Sequence, residues 1–220
     1  EETEMAYSGR SHPEIEYAKK LLPSLGFGSA RITFALSGNK VLKIAKNQRG
    51  LAQNQAEFEI FYKNQGTPFV TKIFDKSDDY KWIISEIVKP LSKEEFEQKI
   101  MDATVFYLIR ETVVQEGRDP KNAALKWLKH LYYLKNRGEM FFEGPHEETR
   151  KISQVLPALH AALQKPEKFD WLKELFDFVG KNNLDFGDIV PDHFGRTVDD
   201  RIILFDYGLT VEVGKAHYGF

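Results

Sequence analysis

The sequence contains no cysteine. That excludes a disulfide framework and any cysteine-ligated zinc site. It also lacks an apolar run near the roughly 18 residues that mark a transmembrane helix, and its N-terminus lacks a signal-peptide pattern. No charge of one sign dominates: 31 basic residues face 33 acidic ones, a formal net charge of -2. With no net positive field, nothing advertises nucleic acid as a partner. Internal repeats and low-complexity tracts are absent too. The sequence does not begin with methionine, which a processed product or a fragment would explain.

What is present is a foldable core. The 220 residues are 42% hydrophobic and 13% aromatic, enough for one sizeable domain or two small lobes around a cleft. A cytoplasmic protein fits this composition.

The most informative stretch lies near the end. Asn182-Asn183-Leu184-Asp185-Phe186-Gly187-Asp188 runs on to His193-Phe194-Gly195, and Ile202-Ile203-Leu204-Phe205-Asp206-Tyr207-Gly208 follows. Two acidic loops flank a short apolar strand, and a hairpin would bring Asp188 and Asp206 together. Two neighbouring carboxylates suit metal-assisted phosphoryl transfer, one positioning a hydroxyl and one holding Mg²⁺. Aspartate and glycine also populate ordinary turns.

From the N-terminus, residues 1–12 read as a polar tail and Pro13 opens a short helix ending at Pro23. Gly26-Phe27-Gly28-Ser29 precedes a β-branched and aromatic run. Such a turn either joins two strands or lays its N–H groups over phosphates. Ser37-Gly38-Asn39-Lys40 is a turn leading into the strand Val41–Lys46. Lys43 there is either an edge-strand lysine or one facing a cleft with an anion to pair with. A helix follows over Leu51–Asn64, with Leu51, Phe58, Phe61 and Tyr62 as its apolar positions and Glu57 on their margin. Glu57 is the favoured partner for Lys43, with Glu59 and Glu16 as rivals. Strands are expected over Phe69–Phe74 and Tyr80–Val88.

Beyond Pro90 the pattern turns helical. Ser92 and Glu95 form a capping-box pair. Helices are expected over Glu97–Gln115, Asn122–Lys135, Thr149–Leu163 and Phe169–Val179. Breaks are expected at Gly117–Pro120 and Gly138–Pro145. The Trp and Phe residues of these helices read as core, and His130 and His160 receive no role.

Taken in order, Gly26-x-Gly28, Val41-Leu42-Lys43-Ile44, Glu57, Ile84-Ser85-Glu86-Ile87-Val88, Gly187-Asp188 and Asp206-Tyr207-Gly208 resemble the signature set of the protein-kinase-like superfamily. The resemblance is nearest to the aminoglycoside and choline phosphotransferase and RIO-like branches, and extends to small kinase-like proteins of large bacteriophages. It covers about residues 21–90 and 182–210. It implies an α+β, bilobal fold: a β-rich nucleotide-binding lobe over 1–90, mainly antiparallel, and a compact, shortened helical lobe over 91–220 carrying the catalytic and metal loops. It implies ATP and Mg²⁺ as cofactors. Gly26, Gly28 and Ser29 would cover the phosphates, and Lys43, oriented by Glu57, would hold them. Glu86 and Val88 would offer hinge backbone to adenine, Asp188 would orient the acceptor hydroxyl and Asp206 would chelate Mg²⁺.

Three departures from the family pattern stand out. His193 occupies the place of the second metal-ligating asparagine, with the oxygen ligand Asp192 beside it. Phe186 replaces a histidine. The sequence ends at Phe220, leaving no room within it for a long activation segment. The acceptor or protein partner is unknown. Transfer of AMP instead of phosphate, an inactive binding or scaffold protein, and a structural component of a phage particle are the alternatives. The host cytoplasm or the particle would be the location if the protein is phage-encoded.

Overall fold

The computed structural model describes residues 13–115, 119–139 and 146–219. The polar tail expected over 1–12, residues 117–118 of the break expected at Gly117–Pro120 and residues 140–145 of the loop expected at Gly138–Pro145 lie outside them. The fold class is α+β. The chain divides into two compact units, Glu1–Pro90 with Gly195–Phe220, and Leu91–Phe194. The stretch from Gly195 onward, which the motif reading groups with the helices, is counted with the sheet. Among the described residues, no helix is long and apolar enough to cross a membrane.

The first unit is built on a five-stranded antiparallel sheet. Helix α1 (Pro13–Leu21) leads into β1 (Ser24–Phe27), β2 (Arg31–Leu36) and β3 (Lys40–Ala45), then α2 (Gln48–Lys63), β4 (Ile73–Lys76) and β5 (Trp82–Glu86). The order is β1-β2-β3-β5-β4, so β3 is the central strand and Lys43 is not an edge residue. A smaller sheet joins β6 (Val88–Pro90), β7 (Phe194–Thr197) and β8 (Ile202–Leu204), and α8 (Val211–His217) closes the chain.

Strand parity sorts the side chains. Residues directly opposite in an antiparallel pair share a face. Ile32 pairs with Ile44 and Phe34 with Leu42, and this face packs under Ile15 and Ala18 of α1. The other face carries Thr33 opposite Lys43 and, on β5, Ser85 opposite Val41. One side of the sheet is therefore sealed by a helix, and the other holds the lysine and two hydroxyls.

Helix α2 corrects two expectations. It starts earlier than Leu51, because Asn47 caps it by accepting from the Gly50 N–H at 3.1 Å. Its buried positions are Gly50, Asn54, Glu57 and Ile60, a stripe three and four residues apart. The expected apolar set is not the buried face: Tyr62 is 67% exposed, whereas Glu57 is 0% exposed. Burying an acid costs free energy unless it is paired, and this stripe faces the cations that pair it. The strand expected over Phe69–Phe74 begins only at Ile73.

Gly50 yields a prediction that runs against helix propensity. Alanine normally improves a helix interior by about 1 kcal/mol. Here an added Cβ would lie 2.3 Å from the Ala30 carbonyl oxygen and 2.9 Å from the Ala45 Cα, both backbone atoms. Gly50→Ala is expected to destabilise by about 1–3 kcal/mol, read as a lower urea midpoint at unchanged slope. A neutral or stabilising result would contradict this packing.

The second unit is helical: α3 (Lys93–Lys99), α4 (Ala103–Gln115), α5 (Pro120–Arg137), α6 (His146–Leu163) and α7 (Pro166–Lys181). Ser92 and Glu95 form the capping box. The single helix expected over Glu97–Gln115 is two, because the backbone breaks after Lys99 and Asp102 caps the next start by accepting from the Val105 N–H. Aromatic rings do form the core. Trp127 stacks on Phe176 with centroids 4.2 Å apart, and Phe106 meets Phe96 edge-on at 5.3 Å. His160 donates its Nδ1–H to the Leu134 carbonyl at 2.8 Å, which also accepts from the Gly138 N–H at 2.9 Å, so the last turn of α5 is held twice at one carbonyl.

Candidate functional site

Four charged side chains meet in the first unit. Lys43 on β3 donates to Glu57 Oε1 at 2.7 Å and to Asp206 Oδ1 at 2.9 Å. Arg31, at the start of β2, donates to Glu57 Oε2 at 2.5 Å, to Asp206 Oδ1 at 3.0 Å and to Asn54 Oδ1 at 3.3 Å. Two cations and two carboxylates balance. Glu57 accepts from both cations, which is why an acid can stand fully buried. Burial alone would lower the Arg31 pKa, but Glu57 and then Asp206 hold it above the usual arginine value.

Asp206 follows β8 with a left-handed backbone, φ 57, a conformation that aspartate tolerates better than most residues. The next two residues anchor it. The Tyr207 hydroxyl is 3.0 Å from that of Thr71 and donates to the Thr71 carbonyl, and burial pushes the Tyr207 pKa well above its ordinary value. At Gly208 a Cβ would stand 2.6 Å from the Gln53 carbonyl oxygen, so only glycine lets this loop lie against α2.

The open face of the sheet forms a pocket of about 370 Å³, lined by Gly26, Thr33, Val41, Lys43, Ser85, Glu86, Val88 and Asp206 among others. Five residues singled out in the sequence thus line one pocket: Gly26, Lys43, Glu86, Val88 and Asp206. Glu57 lies behind Lys43, bonded to it. Gly28 and Ser29 are not among the lining residues. Their carbonyls are tied to the Lys46 ammonium at 2.9 Å and the Asn47 amide at 3.3 Å. Among the described residues the buried Ser85 hydroxyl has no hydrogen-bond partner, a cost of about 1–3 kcal/mol that a polar ligand could relieve.

The end of β5 is braced. Arg201 donates to both Glu86 carboxylate oxygens at 2.8 Å, and the Lys72 N–H donates to one of them at 2.7 Å. Burial would lower the Arg201 pKa, but Glu86 and Asp199 raise it. The Glu86 and Ile87 N–H groups go to the Lys72 and Asn39 carbonyls. The Glu86 side chain is therefore a structural brace.

The helical unit carries Asp188 at the end of a 3₁₀ turn, Phe186–Asp188. Asp185 accepts from the Gly187 N–H at 2.8 Å. Arg110, on α4, donates to the carbonyls of Phe186 and Gly187. His193 donates Nδ1–H to the Asp188 carbonyl at 2.6 Å. Phe186 is buried, so packing and Arg110 together hold this turn. Asp192 is exposed and lines a separate pocket of about 500 Å³ with Ser92, Tyr107, Glu111 and others.

Among the described residues, no group of three or more histidines, aspartates or glutamates could hold a metal ion. Asp206, with its side chain 45% exposed on the pocket wall, fits a Mg²⁺ that takes one protein carboxylate and completes its shell with phosphate oxygens and water. His193 has one ring nitrogen committed to the backbone.

Arg31, Asn54, Arg110 and Arg201 were not singled out in the sequence. For Arg31 and Asn54 a signal existed: Gly50, Asn54 and Glu57 recur at helical spacing, and a polar buried stripe needs partners. Arg110 and Arg201 carry no local signal, because what they bind is distant in the chain.

No protein-family model and no curated protein matches this chain. Solved structures do resemble it. The streptomycin–ATP ternary complex of APH(2")-IIa covers 91% of this chain and 71% of its own, at 15% identity and a TM-score of 0.39. The GDP and kanamycin complex of APH(2")-IIia covers 85% and 66%, at 16% identity and a TM-score of 0.35. The GDP complex of wild-type aminoglycoside 2'-phosphotransferase-IIIa covers 89% and 73%, at 16% identity and a TM-score of 0.34.

Proposed function

We propose that the chain is a kinase-like phosphotransferase that binds ATP and Mg²⁺. One observation carries the reading: Lys43, paired to the buried Glu57, meets Asp206 in the lining of a pocket that Glu86 and Val88 also line. The phosphates take the Lys43 ammonium, which Glu57 holds in place. The base takes backbone contacts from the Glu86 carbonyl and from Val88. Gly26 lies over the phosphates, with the Gly28–Ser29 turn as its support. Asp206 holds the metal, and bound Mg²⁺ would supply charge neutralisation on the phosphates. Asp188 orients the acceptor hydroxyl, and His193 and Arg110 keep its backbone in place. Asp192 and His193 are the proposed second metal contacts, with Asp192 preferred for its oxygen donors.

The direct test is calorimetric titration of the full chain with ATP and Mg²⁺. Binding is expected, and Lys43→Ala should weaken it by roughly tenfold or more by removing a charge-assisted contact. The absence of binding up to millimolar nucleotide would defeat the reading. A second reading, a binding or scaffold protein without transfer, is favoured by one observation: both Lys43 and Arg31 occupy Asp206 Oδ1.

A further inference from the structure

We infer that Arg31 is a positioning residue that competes with a divalent cation for the carboxylate of Asp206. The inference rests on Asp206 being the metal acid of the proposed function. Its basis is the way the guanidinium is shared. One nitrogen of Arg31 bonds Glu57 and Asn54, and the other bonds Asp206 Oδ1 at 3.0 Å. The Arg31 side chain is only 10% exposed. Lys43 and Asp206 line the pocket and Arg31 does not, so Arg31 reaches the acid from outside the ligand space.

Charge balance gives this arrangement a consequence. Arg31 and Lys43 already neutralise Glu57 and Asp206. A dication arriving on Asp206 meets two cations within hydrogen-bond distance of the same oxygen. Like charges that close oppose each other. A metal on this carboxylate is opposed by both cations, and the opposition falls when Arg31 and Lys43 give up Asp206. Lys43 can follow an incoming phosphate while keeping Glu57. Arg31 has Glu57 and Asn54 to stay with, so releasing Asp206 does not strand it. A metal–nucleotide complex brings the anion that makes the exchange favourable, whereas the bare metal does not. Arg31 thereby makes metal binding conditional on nucleotide and holds the Asp206 loop in register until then.

The test is Mn²⁺ binding to the full chain without nucleotide, read by the electron paramagnetic resonance signal of the free hexaaqua ion. Arg31→Gln is expected to bind Mn²⁺ at least about fivefold more tightly than the parent, because a like charge has gone. Asp206→Asn in the same background should abolish the gain. Arg31→Lys keeps a charge for Glu57 but gives up the fork, so it should gain in the same direction and by less. A merely structural arginine would not tighten metal binding when lost. Equal or weaker Mn²⁺ binding in folded Arg31→Gln, checked by circular dichroism, overturns the inference. So does unfolding of both variants, which would make Arg31 a brace only. Failure of the kinase-like reading looks different: a parent that binds no ATP while Arg31→Gln still gains Mn²⁺ removes the nucleotide and leaves the competition.

Discussion

Replacing Glu57 with alanine is expected to cost about 3–5 kcal/mol of stability, the range for breaking a buried ion pair by removing one partner. Glu57 is fully buried and accepts from Lys43 at 2.7 Å and Arg31 at 2.5 Å. Without it, two cations at 8% and 10% exposure share one carboxylate, that of Asp206, and Arg31 keeps only the Asn54 amide oxygen besides. The Asp206 loop would be pulled toward them, so nucleotide and metal binding should fall along with stability. Urea unfolding of Glu57→Ala and the parent measures the first effect. A loss under about 1 kcal/mol would mean that the cluster is hydrated in solution, as exposed pairs are. Glu57→Gln separates charge from shape. It keeps the volume but removes the charge, and should recover little of the stability if the ion pairs dominate.

The second large effect is on rate. Under the proposed function, Asp188→Ala should leave ATP affinity within about threefold and lower phosphoryl transfer by roughly 10²-fold or more, the usual worth of a positioned base. The loop should survive the substitution. Its backbone is held by Arg110 on the Phe186 and Gly187 carbonyls, by Asp185 on the Gly187 N–H and by His193 on the Asp188 carbonyl. Asp206→Ala should behave differently and weaken metal-dependent ATP binding as well as rate. Incubation with γ- and α-labelled ATP and a cell extract, followed by mass spectrometry, reads the transfer. Label from the γ position on a protein or small molecule marks a kinase, and label from the α position marks AMP transfer. No labelled product and no Asp188-dependent hydrolysis would reject catalysis and leave the binding protein. His193→Asn then becomes informative, since asparagine can still donate to the Asp188 carbonyl while offering an oxygen.

Local chemistry explains what was legible in the sequence. The central strand around Lys43, the turn before it, the Ser92–Glu95 cap and the aromatic helices depend on neighbours a few residues away, and these are written in spacing and propensity. The ordered motifs likewise identified Lys43, Glu57, Glu86 and Asp206, four residues that the fold does bring to one place. What tertiary structure decided is which faces are buried and who pairs with whom. Hydrophobic spacing put the buried side of α2 on Leu51, Phe58, Phe61 and Tyr62. The fold buries Gly50, Asn54 and Glu57 instead, because β2 and β3 present Arg31 and Lys43 there, and paired charges can be buried where lone ones cannot. Glu86 looked like a hinge contact, and Arg201, 115 residues on, makes its side chain a brace. His193 looked like a displaced metal ligand, and its Nδ1–H is spent on the Asp188 carbonyl. Each of these outcomes depends on a partner distant in the chain, which no local pattern encodes.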